Sequence, residues 1–258
     1  MLVFIGLGLH GEGISIQGLQ IAKEADVVYA ELYTSLVPGF DPKELELEIS
    51  KPIHIVDRKT VEQHPDEILN VAKVSKVALL VPGDPMTATT HVDLRLRAAK
   101  VGIETKIIHA ASIASAAAGL TGLQSYKFGP SATVPFSDNS SARPYEILAE
   151  NRERGLHTLL LLDIRAEEGR AMTANEAIEV MLGLEKKIQK EAFTPETLVV
   201  VVARAGSDDA IVKADRAGEL RRLDFGQPPH VLIVPGKLHF VEAEALKVFA
   251  GAPEKVVG

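Results

Sequence analysis

Two stretches of this 258-residue chain carry residue types whose spacing could do chemistry. The first is Gly6-Leu7-Gly8-Leu9-His10-Gly11, which fits the G-x-G-x-x-G pattern of a dinucleotide-binding loop. Glycines at that spacing let backbone turn and approach a ligand with no Cβ in the way. Glu31 stands 20 residues beyond Gly11, where such a fold places its ribose-binding acid. The same glycines would serve equally as a tight structural turn. Glu12 and Gly13 delay the helical pattern to near Ser15, whereas a phosphate-binding loop opens its helix on the glycines. Glu12 also sets a negative charge where phosphate would lie, so a cofactor without phosphates suits this loop better.

The second stretch is Val81-Pro82-Gly83-Asp84-Pro85-Met86-Thr87-Ala88-Thr89-Thr90. It follows an apolar run, which places Asp84 at the C-terminal end of a buried strand, the position where open α/β sheets bind ligands. A carboxylate there accepts hydrogen bonds from hydroxyl or ammonium groups and favours a cation. A turn or helix-capping aspartate is the alternative. Ser112 falls just past another strand, with helix capping again the alternative.

Several chemistries are excluded. With no cysteine, the chain has no thiol nucleophile, thiolate metal site or disulfide. There is no H-E-x-x-H, no G-x-S-x-G and no G-x-x-x-x-G-K-[ST]. His10, His91, His109, His157 and His230 are scattered and read as hydrogen-bonded structural residues, and His239 with Glu242 as a pair on a helix surface. Arg95, Arg97 and Lys100 read as a solvated helix face. The 28 basic against 35 acidic side chains, a formal charge of −7, argue against a dedicated nucleic-acid binder. No apolar run approaches the roughly 18 residues of a membrane span. The N-terminus lacks the basic start of a secretory signal, so the expectation is a cytoplasmic protein.

The elements that would position these residues alternate. Leu2 to Leu9, Asp26 to Ala30, Val77 to Val81 and Thr105 to His109 read as strands, with helices over Ser15 to Ala25 and through Arg95 to Ala99. Non-alternating apolar strands between helices point to a parallel sheet covered on both faces. After about Gly122 the texture changes. Ser131 to Phe136 reads as an edge-type strand limited by Pro135, and residues 138–144 as a loop. Tyr145 to Glu153 reads as a helix, with further strands at His157 to Ile164, Leu198 to Ala203 and Val231 to Val234. Thr173 and Glu176 have capping-box spacing before a helix with Ala177, Met181, Leu184 and Ile188 on one face. The fold class is α/β in two domains, residues 1–112 and 113–258, with residues 251–258 as a loose tail.

Together, IGLGL (5–9), YAELYTS (29–35), PGDPMTATTH (82–91), HAASI (109–113), GLQSYKFG (122–129), HTLLLLDI (157–164), MTANEA (172–177), ARAGS (203–207) and PPHVLIVPGKLH (228–239) closely resemble the archaeal diphthine synthase family. That family belongs to the S-adenosylmethionine-dependent tetrapyrrole methylase superfamily. The resemblance runs in order from Met1 to about Pro253. It implies a mostly parallel sheet in the first half and a mixed sheet in the second, with the cofactor in the cleft between them, and a homodimer. It further implies a protein substrate, translation elongation factor 2, whose modified histidine bears a 3-amino-3-carboxypropyl group that is methylated repeatedly on its amine. Carried over motif by motif, the S-adenosylmethionine contacts are Leu9, Asp84, Thr87, Ser112, Ile113, Leu162, Ala205 and His230. Thr87 varies in the family, which implies a contact through its backbone, and a buried structural histidine is the alternative for His230.

No metal is implied. Nor is a catalytic side chain. Methyl transfer from a sulfonium to an amine is an in-line displacement that depends on alignment. An α-amino group with a reference pKa of about 7.7–8.0 is partly neutral near neutrality. Tyr126 to Gly129 and Thr89 to His91 are the expected contacts with the protein substrate. A methylase of the same superfamily acting on a small molecule is the alternative function.

Overall fold

The computed structural model describes residues 1–139 and 141–257. The chain forms two compact units. One comprises Met1–Ile113 with Ala166–Glu168, the other Ala114–Arg165 with the chain from Gly169 onward.

The first unit is built from β1 (Leu2–Gly6), α1 (Ile16–Glu24), β2 (Val27–Glu31), α2 (Pro42–Ile49), β3 (Ile53–Val56), α3 (Asp66–Val74), β4 (Val77–Val81), α4 (His91–Lys100) and β5 (Thr105–Ile108). Its five strands are all parallel, in the order β3-β2-β4-β1-β5. Leu2 to Ile5 and Val77 to Val81 have no solvent exposure, which is why these strands show unbroken apolar runs. Burying each such side chain contributes about 1.5–3 kcal/mol. Successive residues face opposite sides. Leu2, Phe4, Leu79 and Val81 pack with Leu94 and Ala98 of α4, whereas Val3, Ile5, Ala78 and Leu80 pack with Ile21 and Ala22 of α1. The second strand starts one residue later than expected because the Asp26 carboxylate accepts the Lys76 amide at 2.7 Å, fixing the entry to the strand.

The second unit begins with α5 (Ile113–Thr121) and continues through β6 (Ala132–Val134), α6 (Arg143–Glu153), β7 (Thr158–Leu162), β8 (Ile164–Arg165), β9 (Arg170–Ala171), α7 (Ala174–Ile188), β10 (Leu198–Ala203), β11 (Ile211–Arg216), α8 (Ala217–Leu220), β12 (His230–Val234), α9 (Phe240–Ala250) and α10 (Glu254–Val257). Its main sheet has the order β11-β10-β12-β7-β6 and is mixed: β6 runs parallel to β7, and the other pairs are antiparallel. β6 is an edge strand that stops before Pro135, as expected. The capping box at Thr173 and Glu176 forms, with the Thr173 side chain accepting from the Glu176 amide.

One expectation changes. Residues 251–257 are not loose: α10 packs there, with Ala252 and Val257 buried and the Ala252 amide donating to Leu246. Gly258, and Ser140 within the expected loop, lie outside the described residues. α2, β3, α3 and β11 carry no unbroken apolar run. β11 mixes Lys213, Asp215 and Arg216 into a half-buried edge strand, and none of these four elements figures among the sequence expectations. Among the described residues, no helix is long and apolar enough to cross a membrane.

Candidate functional site

β1 and β4 are neighbours, yet the chain leaves them in opposite directions. β1 leads through α1 to β2 on one side, while β4 leads through α4 to β5 on the other, and the two helices cover opposite faces. At such a switch point the loops beyond the strands part and open a crevice. Here those loops are Leu7 to Gly13 and Pro82 to Thr90. Backbone joins them only where they leave the sheet, two residues past each strand: Gly8 donates to Gly83 at 3.1 Å, and Gly83 donates back to Gly8 at 2.9 Å.

The glycines of the first loop serve this loop-on-loop packing. A Cβ on Gly6 would lie 2.6 Å from Gly83 O, one on Gly8 2.6 Å from Gly13 O, and one on Gly11 2.3 Å from Gly39 O. The space each glycine leaves is filled by protein, so the fingerprint is a tight structural turn. Glu31 settles the same question from the other end. It has no solvent exposure and is held by the Tyr33 amide (3.2 Å), the Thr34 amide (3.1 Å) and the Thr34 hydroxyl (2.6 Å), so it cannot reach a ribose. α1 begins only at Ile16, capped by Ser15, whose hydroxyl accepts the Gly18 amide at 3.0 Å. The dinucleotide reading is therefore excluded on geometry.

Gly83 differs from those three. Its φ of 65° needs glycine, and a Cβ there would meet only Ala111 O, at 3.9 Å. Next to it, Asp84 is 7% exposed. Its Oδ1 accepts the Met86 amide (3.0 Å) and the Thr87 hydroxyl (3.3 Å); its Oδ2 accepts the Ala110 amide (3.3 Å) and lies 2.7 Å from His109 Nδ1. Burial alone would raise its pKa, but the hydrogen bonds from Met86, His109 and Ala110 outweigh it and hold the carboxyl below its ordinary value. A fixed negative charge thus stands at the mouth of the switch point. Thr87 and Leu9 are half-buried in the two loops, and Ser112 and Ile113 follow β5 on the other side of β1. None of the residues 6–15, 82–90 and 109–113 is Lys or Arg, so the loops lack the charge that a phosphate demands.

In the second unit, Leu162 ends β7, Ala205 lies two residues past β10, and His230 opens β12. The registers Val231↔Leu161 and Ala203↔His230 bring all three to one end of that sheet. The His230 ring is fully engaged: Nδ1 accepts the Ala174 amide and Nε2 donates to Gln227 O, each at 3.1 Å. Burial lowers its pKa, keeping it neutral. What His230 can offer a ligand is therefore its backbone.

Three other residues are placed differently from expectation. His91 is wholly buried, its Nδ1 donating to Pro85 O at 3.1 Å and its Nε2 3.7 Å from Glu31, so it cannot meet a protein substrate. Lys127 donates to Glu242 and to Lys237 O. Glu242 is not on a surface; it has no exposure and also accepts from His157 Nε2 (2.8 Å) and from the amides of Gln124 (2.9 Å) and His239 (2.8 Å). Sequence reading missed this cluster because its members lie up to 118 residues apart. Tyr126, 78% exposed, remains available on the surface. Among the described residues, no group of three or more His, Cys, Asp or Glu side chains could hold a metal ion.

The family model for Tetrapyrrole (Corrin/Porphyrin) Methylases matches residues 1–221. Diphthine synthase from Methanosarcina acetivorans is 51% identical over 265 residues, spanning 100% of this chain and 98% of the relative. Diphthine synthase from Methanothermobacter thermautotrophicus is 46% identical over 260 residues, again spanning 100% and 98%. A crystal structure of diphthine synthase matches with a TM-score of 0.91 at 41% identity, covering 99% of this chain and 98% of that one. The parallel sheet with its switch-point loops, the mixed sheet beside it in sequence, and this end-to-end likeness agree: the chain belongs to the tetrapyrrole methylase family and, within it, to the diphthine synthase branch.

Proposed function

We propose that this protein is an S-adenosylmethionine-dependent methyltransferase that methylates the amino group of the 3-amino-3-carboxypropyl-histidine of translation elongation factor 2. The observation that carries this reading is the end-to-end likeness to curated diphthine synthases, which leaves no part of the chain outside it.

The residues at the switch point suit the cofactor. The fixed Asp84 carboxylate and the absence of lysine and arginine from the loops favour a cationic, phosphate-free ligand. S-adenosylmethionine, with its sulfonium and ammonium groups, supplies the electrophilic methyl when bound. Leu9, Asp84, Thr87, Ser112 and Ile113 are the assigned contacts from the first unit, and Leu162, Ala205 and the backbone of His230 those from the second. We further assign residues 1–112 and 113–258 as its two domains, a homodimer as its assembly and the cytoplasm as its location.

Calorimetric titration with S-adenosylhomocysteine, run beside NADH, tests the cofactor. Micromolar binding of the former alone is expected, and binding of NADH alone refutes it. Asp84→Ala should weaken S-adenosylhomocysteine binding by tenfold or more, as the loss of a charge-assisted contact worth about 1.5–3 kcal/mol. Unchanged affinity removes Asp84 from the site. Mass spectrometry of modified elongation factor 2 after incubation with S-adenosylmethionine tests the substrate, and methyl incorporation only into a porphyrinoid refutes it.

A further inference from the structure

The Asp84 carboxylate, besides its place beside the cofactor, holds a histidine. His109 closes the C-terminal end of β5, its Nδ1 2.7 Å from Asp84 Oδ2, and 71% of its side chain is exposed. Asp84 is fixed at both oxygens by Met86, Thr87 and Ala110. An ionised carboxylate only accepts, so His109 Nδ1 carries the hydrogen of that bond. The neutral ring must then present a bare lone pair on Nε2, facing away from Asp84 and open to solvent. This is the arrangement by which a carboxylate sets a histidine's tautomer for use as a base. The other histidine beside the switch point is poised oppositely: His10 Nδ1 accepts the Glu12 amide, which leaves its proton on Nε2. His91, His157 and His230 are buried with at least one ring nitrogen committed to backbone.

We propose that His109, oriented by Asp84, takes the proton that the substrate amine must lose for each methyl transfer. The proposal rests on the function given above. An ammonium R–NH3⁺ has no lone pair, so its proton passes first to His109 Nε2. The freed nitrogen pair then forms the N–C bond as the methyl C–S bond breaks, and that electron pair stays on sulfur. The product R–NH2⁺–CH3 is again protonated and must lose a proton before a second transfer, and the dimethylated product before a third. The trimethylammonium has no proton to lose. Three methyl transfers therefore release three protons, and an exposed histidine can pass each one to water. This replaces the expectation that spontaneous deprotonation of the amine suffices. Asp84 forms an ion pair with His109 when the ring is protonated.

Two readouts test this, one of them independent of turnover. In the ligand-free protein, long-range ¹H–¹⁵N correlation of the histidine rings should show neutral His109 with hydrogen on Nδ1, and Asp84→Asn should abolish that preference. A wild-type ring protonated on Nε2 overturns the proposal. His109→Asn keeps a donor to Asp84 but has no basic nitrogen. It should bind S-adenosylhomocysteine within twofold of wild type and lower methyl transfer at pH 7 by roughly 10²-fold or more. The deficit should shrink as pH rises, mono- and dimethylated substrate should accumulate, and added imidazole should rescue His109→Ala. Wild-type rates and product distribution in His109→Asn, or parallel loss of cofactor binding, would overturn the role. A wild-type enzyme inactive on modified elongation factor 2 would instead overturn the function on which it rests.

Discussion

Glu31 in the first unit and Glu242 in the second are both wholly buried, yet their carboxyl groups are driven in opposite directions. For Glu31, burial dominates and raises the pKa to about 7, although Thr34, Tyr33 and Arg58 partly oppose it. For Glu242, burial also pushes upward. The Lys127 ammonium, the Gln124 and His239 amides and His157 more than reverse it, lowering the pKa to about 2. The difference teaches that donors and burial compete: desolvation prevails at Glu31 and is overcome at Glu242. Glu31 has three neutral donors from one turn, whereas Glu242 adds a cation and ties together α9, the turn before Phe128 and the start of β7. One is a local brace of the turn after β2, the other a pin joining three segments of its unit.

The strongest way to break this contrast is Glu242→Ala, which strands Lys127 and His157 without their shared acceptor. Removing one partner of a buried charged cluster costs about 3–5 kcal/mol, so the urea midpoint of the full chain should fall accordingly. A change below about 1 kcal/mol would show that the pin carries no load.

The pH dependence sharpens the contrast next. The Glu242 carboxyl is depressed from an ordinary 4.5 to about 2, so its contribution is complete above 4.5 and lost as pH falls from 4.5 towards 2. Glu31 is raised from 4.5 to about 7. As pH climbs through that window the unfolded chain ionises while the folded carboxyl keeps its proton, and folding loses about 3 kcal/mol. Glu31→Gln mimics the protonated form and should flatten the loss between pH 4.5 and 7. Denaturation at pH 5 and 7.5 measures it, and an equal slope in the variant would assign the pH dependence elsewhere.

The smallest expected effect is a control on both units. Ser15→Ala and Thr173→Ala each remove one helix cap and should cost about 1 kcal/mol in urea unfolding. A markedly larger cost at Thr173 would mean that the Glu176 carboxylate, which also binds the Thr173 amide and Arg170, depends on the threonine.

What was legible in the chain was what local pattern encodes. β1, β4 and β7 are uniform apolar runs because both faces are covered, and α7 carries its own capping box. Asp84 and Ser112 stood out because each lies a few residues past the C-terminal end of a strand. The His109–Asp84 contact was not legible, since it depends on β4 and β5 flanking β1 in register. Nor was the Glu242 cluster, whose capping partner is a histidine where a serine or threonine would signal the box. Contacts of that kind follow from topology, which no short window contains.

The placement of β1 has a consequence for how the molecule is made. β1 is flanked on both edges by strands that come later in the chain: Leu2 pairs with Val77 on one side and with Thr105 on the other. Its peptide groups find a first sheet partner only once the chain has been synthesised through Val81, and the second only after Ile108. The first unit therefore closes late, around a nascent apolar segment that must be shielded in the meantime, and its folding is slowed by long-range closure. The second unit pairs β10 with β11 across a short connection, so its sheet can start locally. Birth order on the ribosome and order of folding need not coincide in this protein.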